Sequence, residues 1–244
     1  MNLFADVARW LADGASWSGS DGIGVRLGEH AGLSALSVLV AAVVALPVGL
    51  YIGHARRAEF VTITIANLGR AVPSFAVIAL ALPISIQLGL GLGFWPTFVA
   101  LTLLAIPPIV TNTYVGIKGV DEDAVEAARG MGMTGREVLR QVEIPLAAPV
   151  VVAGLRTSAV QVVATATLGA LVGWGGLGRF IRDGFSQGDD VLILGGAVLV
   201  AGLAIATELA FGVLQRAVRR DRGRERIVPG AADVGQVAAR GELV

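Results

Sequence analysis

The chain contains no cysteine, two histidines (His30 and His54) and one lysine (Lys118) among its 244 residues. Without cysteine there is no disulfide, no thiolate metal site and no cysteine nucleophile, and two histidines leave little for a histidine-based metal centre. The lysine follows Ile117 and precedes Gly119, so the Gly-x-x-x-x-Gly-Lys phosphate loop of a nucleotide hydrolase is missing. Charge is scarce as well. Only 16% of residues are charged, and 19 basic residues cancel 19 acidic ones, which removes the basic excess of a general nucleic-acid binder. From Ala71 to Ile117 there is no Asp, Glu, Lys or Arg, over about twice the roughly 20 residues that one bilayer crossing needs.

What is abundant is apolar. Hydrophobic residues make up 55% of the chain and the mean hydropathy is +0.73, a balance that ordinary soluble domains of this size do not carry. The apolar runs predict an all-α polytopic membrane bundle of about five spans. They read as Ala31 to Gly53, Phe60 to about Leu88, about Thr97 to Ile117, Pro145 to Val172, and Val191 to about Leu214. Five crossings put the termini on opposite sides. Arg56, Arg57, Lys118, Arg129, Arg136, Arg140 and the tail arginines from Arg216 to Arg226 fall on one side, against Arg9, Arg26, Arg179 and Arg182 on the other. The positive-inside rule therefore predicts an external N-terminus and a cytoplasmic C-terminus.

Residues 1–30 lack the basic and apolar regions of a cleavable signal peptide. Leu3, Phe4, Val7, Trp10 and Leu11 recur at helical spacing, which fits a short helix on the outer interface or a frayed terminus. The chain thus divides into an external segment (1–30), a transmembrane unit (31–215) and a cytoplasmic tail (216–244) that dissolves into Gly, Ala and Pro and reads as disordered beside anionic lipid.

The segment 118–145 carries the most information. Asp121 is placed to cap a first short helix, with Glu122 and Asp123 complementing its dipole. Gly130 and Gly132 are expected to break it, and a side chain at Gly132 would obstruct the bend. Thr134 and Glu137 have the spacing of a capping box, so a second helix should run to about Val142 before Pro145 opens the next span. A mere connector could be far shorter.

Glu126-Ala127-Ala128, three residues, Gly132, nine residues, then Val142-Glu143-Ile144-Pro145 resembles the EAA loop of ABC importer permeases. Val142 and Ile144 replace the usual Ile and Leu of that pattern. The segments Asn67 to Phe75, Gly154-Leu-Arg-Thr157 and Leu171 to Gly178 further resemble the permeases that import glycine betaine, choline, carnitine and similar quaternary amines. The resemblance implies a permease with no catalytic residues, no cofactor and no metal. It implies that Glu126, Ala127, Ala128, Gly132, Val142, Ile144 and Pro145 couple it to a cytoplasmic ATP-binding-cassette ATPase dimer. It also implies a second permease, identical or homologous, and an extracellular substrate-binding protein, all in or at a bacterial inner membrane with lipid as the only other partner.

Few polar groups lie within the spans. Arg70 reads as the one basic residue well inside an apolar region. Either it lines the solute path or it sits with Asn67 at the cytoplasmic interface, and a fixed cation makes a poor wall for a cationic solute. Pro73 would then lie in the first turn of its span. Thr157, Ser158, Gln161, Thr165 and Thr167 either pack between helices or line the path, for which Thr165, Thr167, Gln161 and Pro73 are the candidates. Glu208, near the cytoplasmic end of the fifth span, is either a proton or cation relay or an interfacial carboxylate paired with a nearby arginine. The glycines of 173–178 suit a sharp turn or re-entrant segment better than a phosphate cradle. A self-contained secondary carrier or channel is the rival reading, but inverted repeats and mid-membrane acids, its expected signs, are not visible.

Overall fold

The computed structural model describes residues 2–56, 60, 64 and 73–225, and among these it is helical with no strand. In chain order the helices are α1 (Leu3–Ala12), α2 (Gly14–Trp17), α3 (Ile23–His54), α4 (Ser74–Gln87), α5 (Phe94–Lys118), α6 (Glu122–Gly130), α7 (Gly135–Val172), α8 (Gly178–Gln187) and α9 (Asp190–Glu225). Four of them, α3, α5, α7 and the Asp190–Val218 part of α9, are long and apolar enough to cross a bilayer. The expected span from Phe60 is described as a helix only over α4; Asn67 and Arg70 lie outside the described residues, as do Arg57, Arg226 and the last part of the tail.

The core forms where α3, α5 and α7 meet. Leu33, Leu101, Ile109, Val110 and Val162 are buried there together with small residues. On α3 the residues Ser37, Ala41, Ala45, Gly49 and Gly53 recur every fourth position and are all buried, a stripe that lets two backbones approach closely without relying on hydrophobic drive. A Cβ at Gly49 would stand 2.7 Å from the Cβ of Thr113, and one at Gly154 of α7 would stand 2.6 Å from that of Asn112 on α5. Outward faces stay apolar, as lipid requires: Leu39, Val43, Leu103 and Ile205 are exposed.

Several boundaries differ from the sequence expectation for identifiable reasons. The first span begins at Ile23 instead of Ala31, because Arg26 is paired with Asp21 and Glu29 and so can stay within a helix. Gly130 does not break α6 but is its last residue. The second short helix does not stop at Val142: α7 continues through a π-helical turn, Leu139–Glu143, into the span, so Pro145 follows a shifted hydrogen-bond register rather than a break. Gly173–Gly178 is a sharp turn, followed by the amphipathic α8, whose helical character the glycine-rich reading missed. The last helix continues through Arg216 to Glu225 rather than ending near Leu214. At the N-terminus α1 is packed, not frayed, with Trp10 edge-on to Phe180 of α8 and against Gly195 of α9.

Candidate functional site

One end of the bundle carries the segment that the sequence singles out. Asp121 accepts a hydrogen bond from the backbone N–H of Asp123 and starts α6. The helix ends in a Schellman motif: the N–H of Met133 donates to Ala128 O (3.2 Å) and that of Gly132 to Arg129 O (2.9 Å). Gly132 holds φ at +89°, and nothing lies within 4 Å of where its Cβ would be. Glycine is therefore required by the backbone conformation and not, as the sequence suggests, by a neighbour that a side chain would strike. Thr134 and Glu137 form both halves of the capping box, with the Thr134 N–H donating to Glu137 Oε2 at 2.7 Å. That backbone hydrogen bond holds Glu137 below the ordinary carboxylate range. The cap is thus intact above the unfolded-state value and weakens as pH falls through the lower folded one.

The two helices sit on their own small core of Ile117, Val120, Val125, Ala128, Val138 and Ala147, with Val142 and Ile144 packed half-buried against it. Ala128 is therefore an anchor, whereas Glu126, Ala127, Gly132 and Pro145 are exposed. Met131, 78% exposed, stands at the tip between α6 and α7. Two polar contacts tie this unit to the end of α3. His54 Nδ1 meets Glu143 Oε2 at 2.5 Å, with Glu143 only 1% exposed, and Arg56 pairs with Glu122.

At the opposite end, Glu29 and His30 of α3 clamp the 173–178 turn. Glu29 Oε2 accepts the Gly176 N–H (2.7 Å), and His30 Nδ1 accepts that of Leu177 (3.3 Å). The His30 Nε2–H is then free to donate to Val163 O at 2.8 Å, which fixes the neutral Nε2–H tautomer. Beside Trp174 of this turn, Phe94 stacks on Phe98 and meets the indole edge-on.

The candidate path residues lie on α7 and at the start of α4, two elements that pack together through Ile78, Leu168 and Val172. Thr165 and Thr167 stand where α7 tightens into a 3-10 turn, and Thr167 Oγ1 donates to Ala164 O. Gln161 lies one turn earlier, half-buried. Pro73 is exposed as the N-cap of α4, about 20 Å along that helix from its far end. The hydroxyls of Thr157 and Ser158 bond to Ala153 O and Ala105 O, the latter joining α7 to α5. What the structure does bring together is Glu208 and an arginine, the pairing expected as one alternative from the sequence, with Arg156 as the partner that the sequence did not identify. Arg156, inside the fourth apolar run, grips Glu208 of α9, with Arg156 Nε to Glu208 Oε2 at 2.7 Å, and its Nη1 donates to Gln215 Oε1 at 3.2 Å. Arg70 is thus not alone: Arg156 is a basic residue inside an apolar run, and its neighbours Gly154-Leu155 hid it in a motif read for family likeness.

A polytopic helical bundle with a two-helix unit at one end is the architecture of a multi-pass membrane protein. Residues 45–222 match the family described as binding-protein-dependent transport system inner membrane component, and the chain belongs to that family. It is 39% identical over 193 residues to the glycine betaine/carnitine/choline transport system permease protein OpuCB of Bacillus subtilis, covering 79% of this chain and 87% of that one. It is 34% identical to the choline transport system permease protein OpuBD of the same organism over 95% of this chain and all of the other. Among solved structures, the MetNI methionine ABC transporter in inward-facing conformations matches with a TM-score of 0.70 and 25% identity, over 80% of this chain and 95% of that one. The chain is a multi-pass permease subunit of an ABC importer in the bacterial inner membrane.

Proposed function

We propose that this permease moves quaternary ammonium osmoprotectants such as glycine betaine, choline or carnitine into the cytoplasm. The choice of solute is supported by its relatives, which are named for glycine betaine, carnitine and choline. On this reading Glu126, Ala127, Ala128, Gly132, Val142, Ile144 and Pro145 belong to a coupling segment that docks on a cytoplasmic ATPase dimer. The single observation that carries this is the form of the segment: one face is anchored on α5 and α7 through Ala128, Val138 and Ile117, while Glu126, Ala127 and Met131 are left open. Residues 1–30 are external, 31–215 form the permease unit, and 216–244 are cytoplasmic. Two permease copies, identical or homologous, enclose a path on which Gln161, Thr165, Thr167 and Pro73 are candidate contacts, and an extracellular binding protein supplies specificity.

Purified alone, the chain is expected to show no ATP hydrolysis and no nucleotide-dependent stabilisation, since Lys118 sits in no phosphate loop. Reconstituted in liposomes, it should transport choline or glycine betaine only after a separate nucleotide-binding subunit is added. Uptake by the isolated chain driven by an ion gradient would overturn the proposal in favour of a secondary carrier.

The orientation has its own check. Single cysteines at Ser186, in α8, and Thr134, at the start of α7, are both exposed in this cysteine-free chain. An impermeant thiol reagent applied from outside should label Ser186→Cys and spare Thr134→Cys. Labelling of both would refute the five-crossing arrangement.

A further inference from the structure

Arg156 lies about 18 Å along α7 from Ile144, counting 1.5 Å per residue, and that depth is near the middle of a hydrocarbon layer roughly 30 Å thick. Glu208 is level with it, deeper than the interfacial place expected from the sequence, because α9 continues past Leu214 to Glu225. The antiparallel register is fixed a second time two turns away, where Gln215 Nε2 donates to Pro149 O at 3.2 Å. Neither charge is enclosed: the Arg156 side chain keeps 33% of its surface open and that of Glu208 keeps 42%. Ionised side chains at this depth face protein or water, because acyl chains solvate neither partner. Along α9 only Gly195, Gly196 and Val200 are buried among the described side chains, so the helix is little covered by this chain near Glu208. The open sides of Arg156 and Glu208 therefore call for protein or water rather than acyl chains against them.

The two flanks of that seam differ. On one, Leu155, Ala159, Leu203 and Phe211 line an apolar groove shared with Leu39 and Ala42 of α3, a surface suited to acyl chains. On the other, α7 turns outward the exposed Thr157 and Ala164, with Gln161 between them. We propose that this second flank, with Arg156, Glu208 and Gln215 at its edge, lines the water-filled solute path, and that the ion pair is a way-station for a solute bearing a quaternary ammonium group. The Glu208 carboxylate attracts the cation, and Arg156 cancels most of the charge that would otherwise trap it. A conducting site must hold a solute well enough to admit it and weakly enough to release it, and a neutralised carboxylate meets both needs. This proposal rests on the importer reading above.

Thr157→Cys and Ala164→Cys report on the proposed path, and Leu39→Cys on the groove, each in the complete complex with its ATPase and binding protein in liposomes. An aqueous methanethiosulfonate reagent should modify the first two and spare the third, and saturating choline or glycine betaine should slow the first two reactions several-fold. Glu208→Gln should lower choline uptake several-fold with a rise in the half-saturating concentration, and Glu208→Asp should restore most of it. The proposal falls if Thr157→Cys and Ala164→Cys resist the aqueous reagent, if they cross-link two permease copies without labelling, or if solute leaves their rates unchanged. ATP-driven uptake by the parent complex is measured in the same vesicles. Its absence would count against the importer reading, whereas import with unreachable cysteines would defeat the way-station alone.

Discussion

Substitution of Gly132 by valine is expected to bring solute uptake to background while the chain still inserts and accumulates at its normal level. No atom lies within 4 Å of a Cβ there, so the bundle is undisturbed, and the damage comes from φ at +89°. A β-branched residue in that conformation costs about 1–3 kcal/mol, enough to abandon the turn that closes α6. The Met133-to-Ala128 hydrogen bond is then lost, and α6 no longer meets the capped start of α7 at a fixed angle. Asparagine tolerates left-handed backbone, so Gly132→Asn should keep most of the activity. Glu126→Lys, which reverses charge on the open face without touching the segment's core, should behave like the valine variant. Uptake assays on vesicles with matched protein content decide the matter, and normal transport by both Gly132→Val and Glu126→Lys would remove this segment from the mechanism.

Loss of His54 should cost more than any surface change nearby. His54→Leu leaves the Glu143 carboxyl, 1% exposed, without its partner at 2.5 Å, and a buried polar group left unsatisfied costs about 1–3 kcal/mol. Glu143→Gln keeps a hydrogen-bonding group in place and should cost clearly less. Thermal unfolding of detergent-solubilised protein should rank them wild type, Glu143→Gln, His54→Leu. If His54→Leu unfolds at the wild-type temperature, the contact does not hold α3 to the coupling end.

Much of this was legible in the residues. The apolar runs gave the four described spans, because lipid leaves a backbone few choices and makes apolar length a direct measure of crossing. Thr134 with Glu137 and Asp121 ahead of α6 gave both helix starts, because caps are local chemistry. Long-range pairing was harder to read. Arg156 sits among Leu155, Thr157 and Ser158, and nothing local announces that Glu208, 52 positions away, neutralises it. Arg26 similarly concealed the start of α3 until Asp21 and Glu29 were seen beside it. The stripe from Ser37 to Gly53 was readable as a four-residue spacing of small side chains, but its partner on α5 was not.

The π-helical turn at Leu139–Glu143 has a mechanical meaning. There the N–H of Ile144 reaches back five residues to Leu139 O, so one extra residue is wound into the helix just before Pro145. Rewinding that turn to α geometry would rotate everything ahead of it by about 100° and shift it by about 1.5 Å relative to the span. Such a step melts no helix and opens no loop, since it trades one set of carbonyl partners for the next. A register step of this kind would move the unit formed by α6 and the start of α7 in discrete notches relative to the membrane helix, which a free hinge would not do.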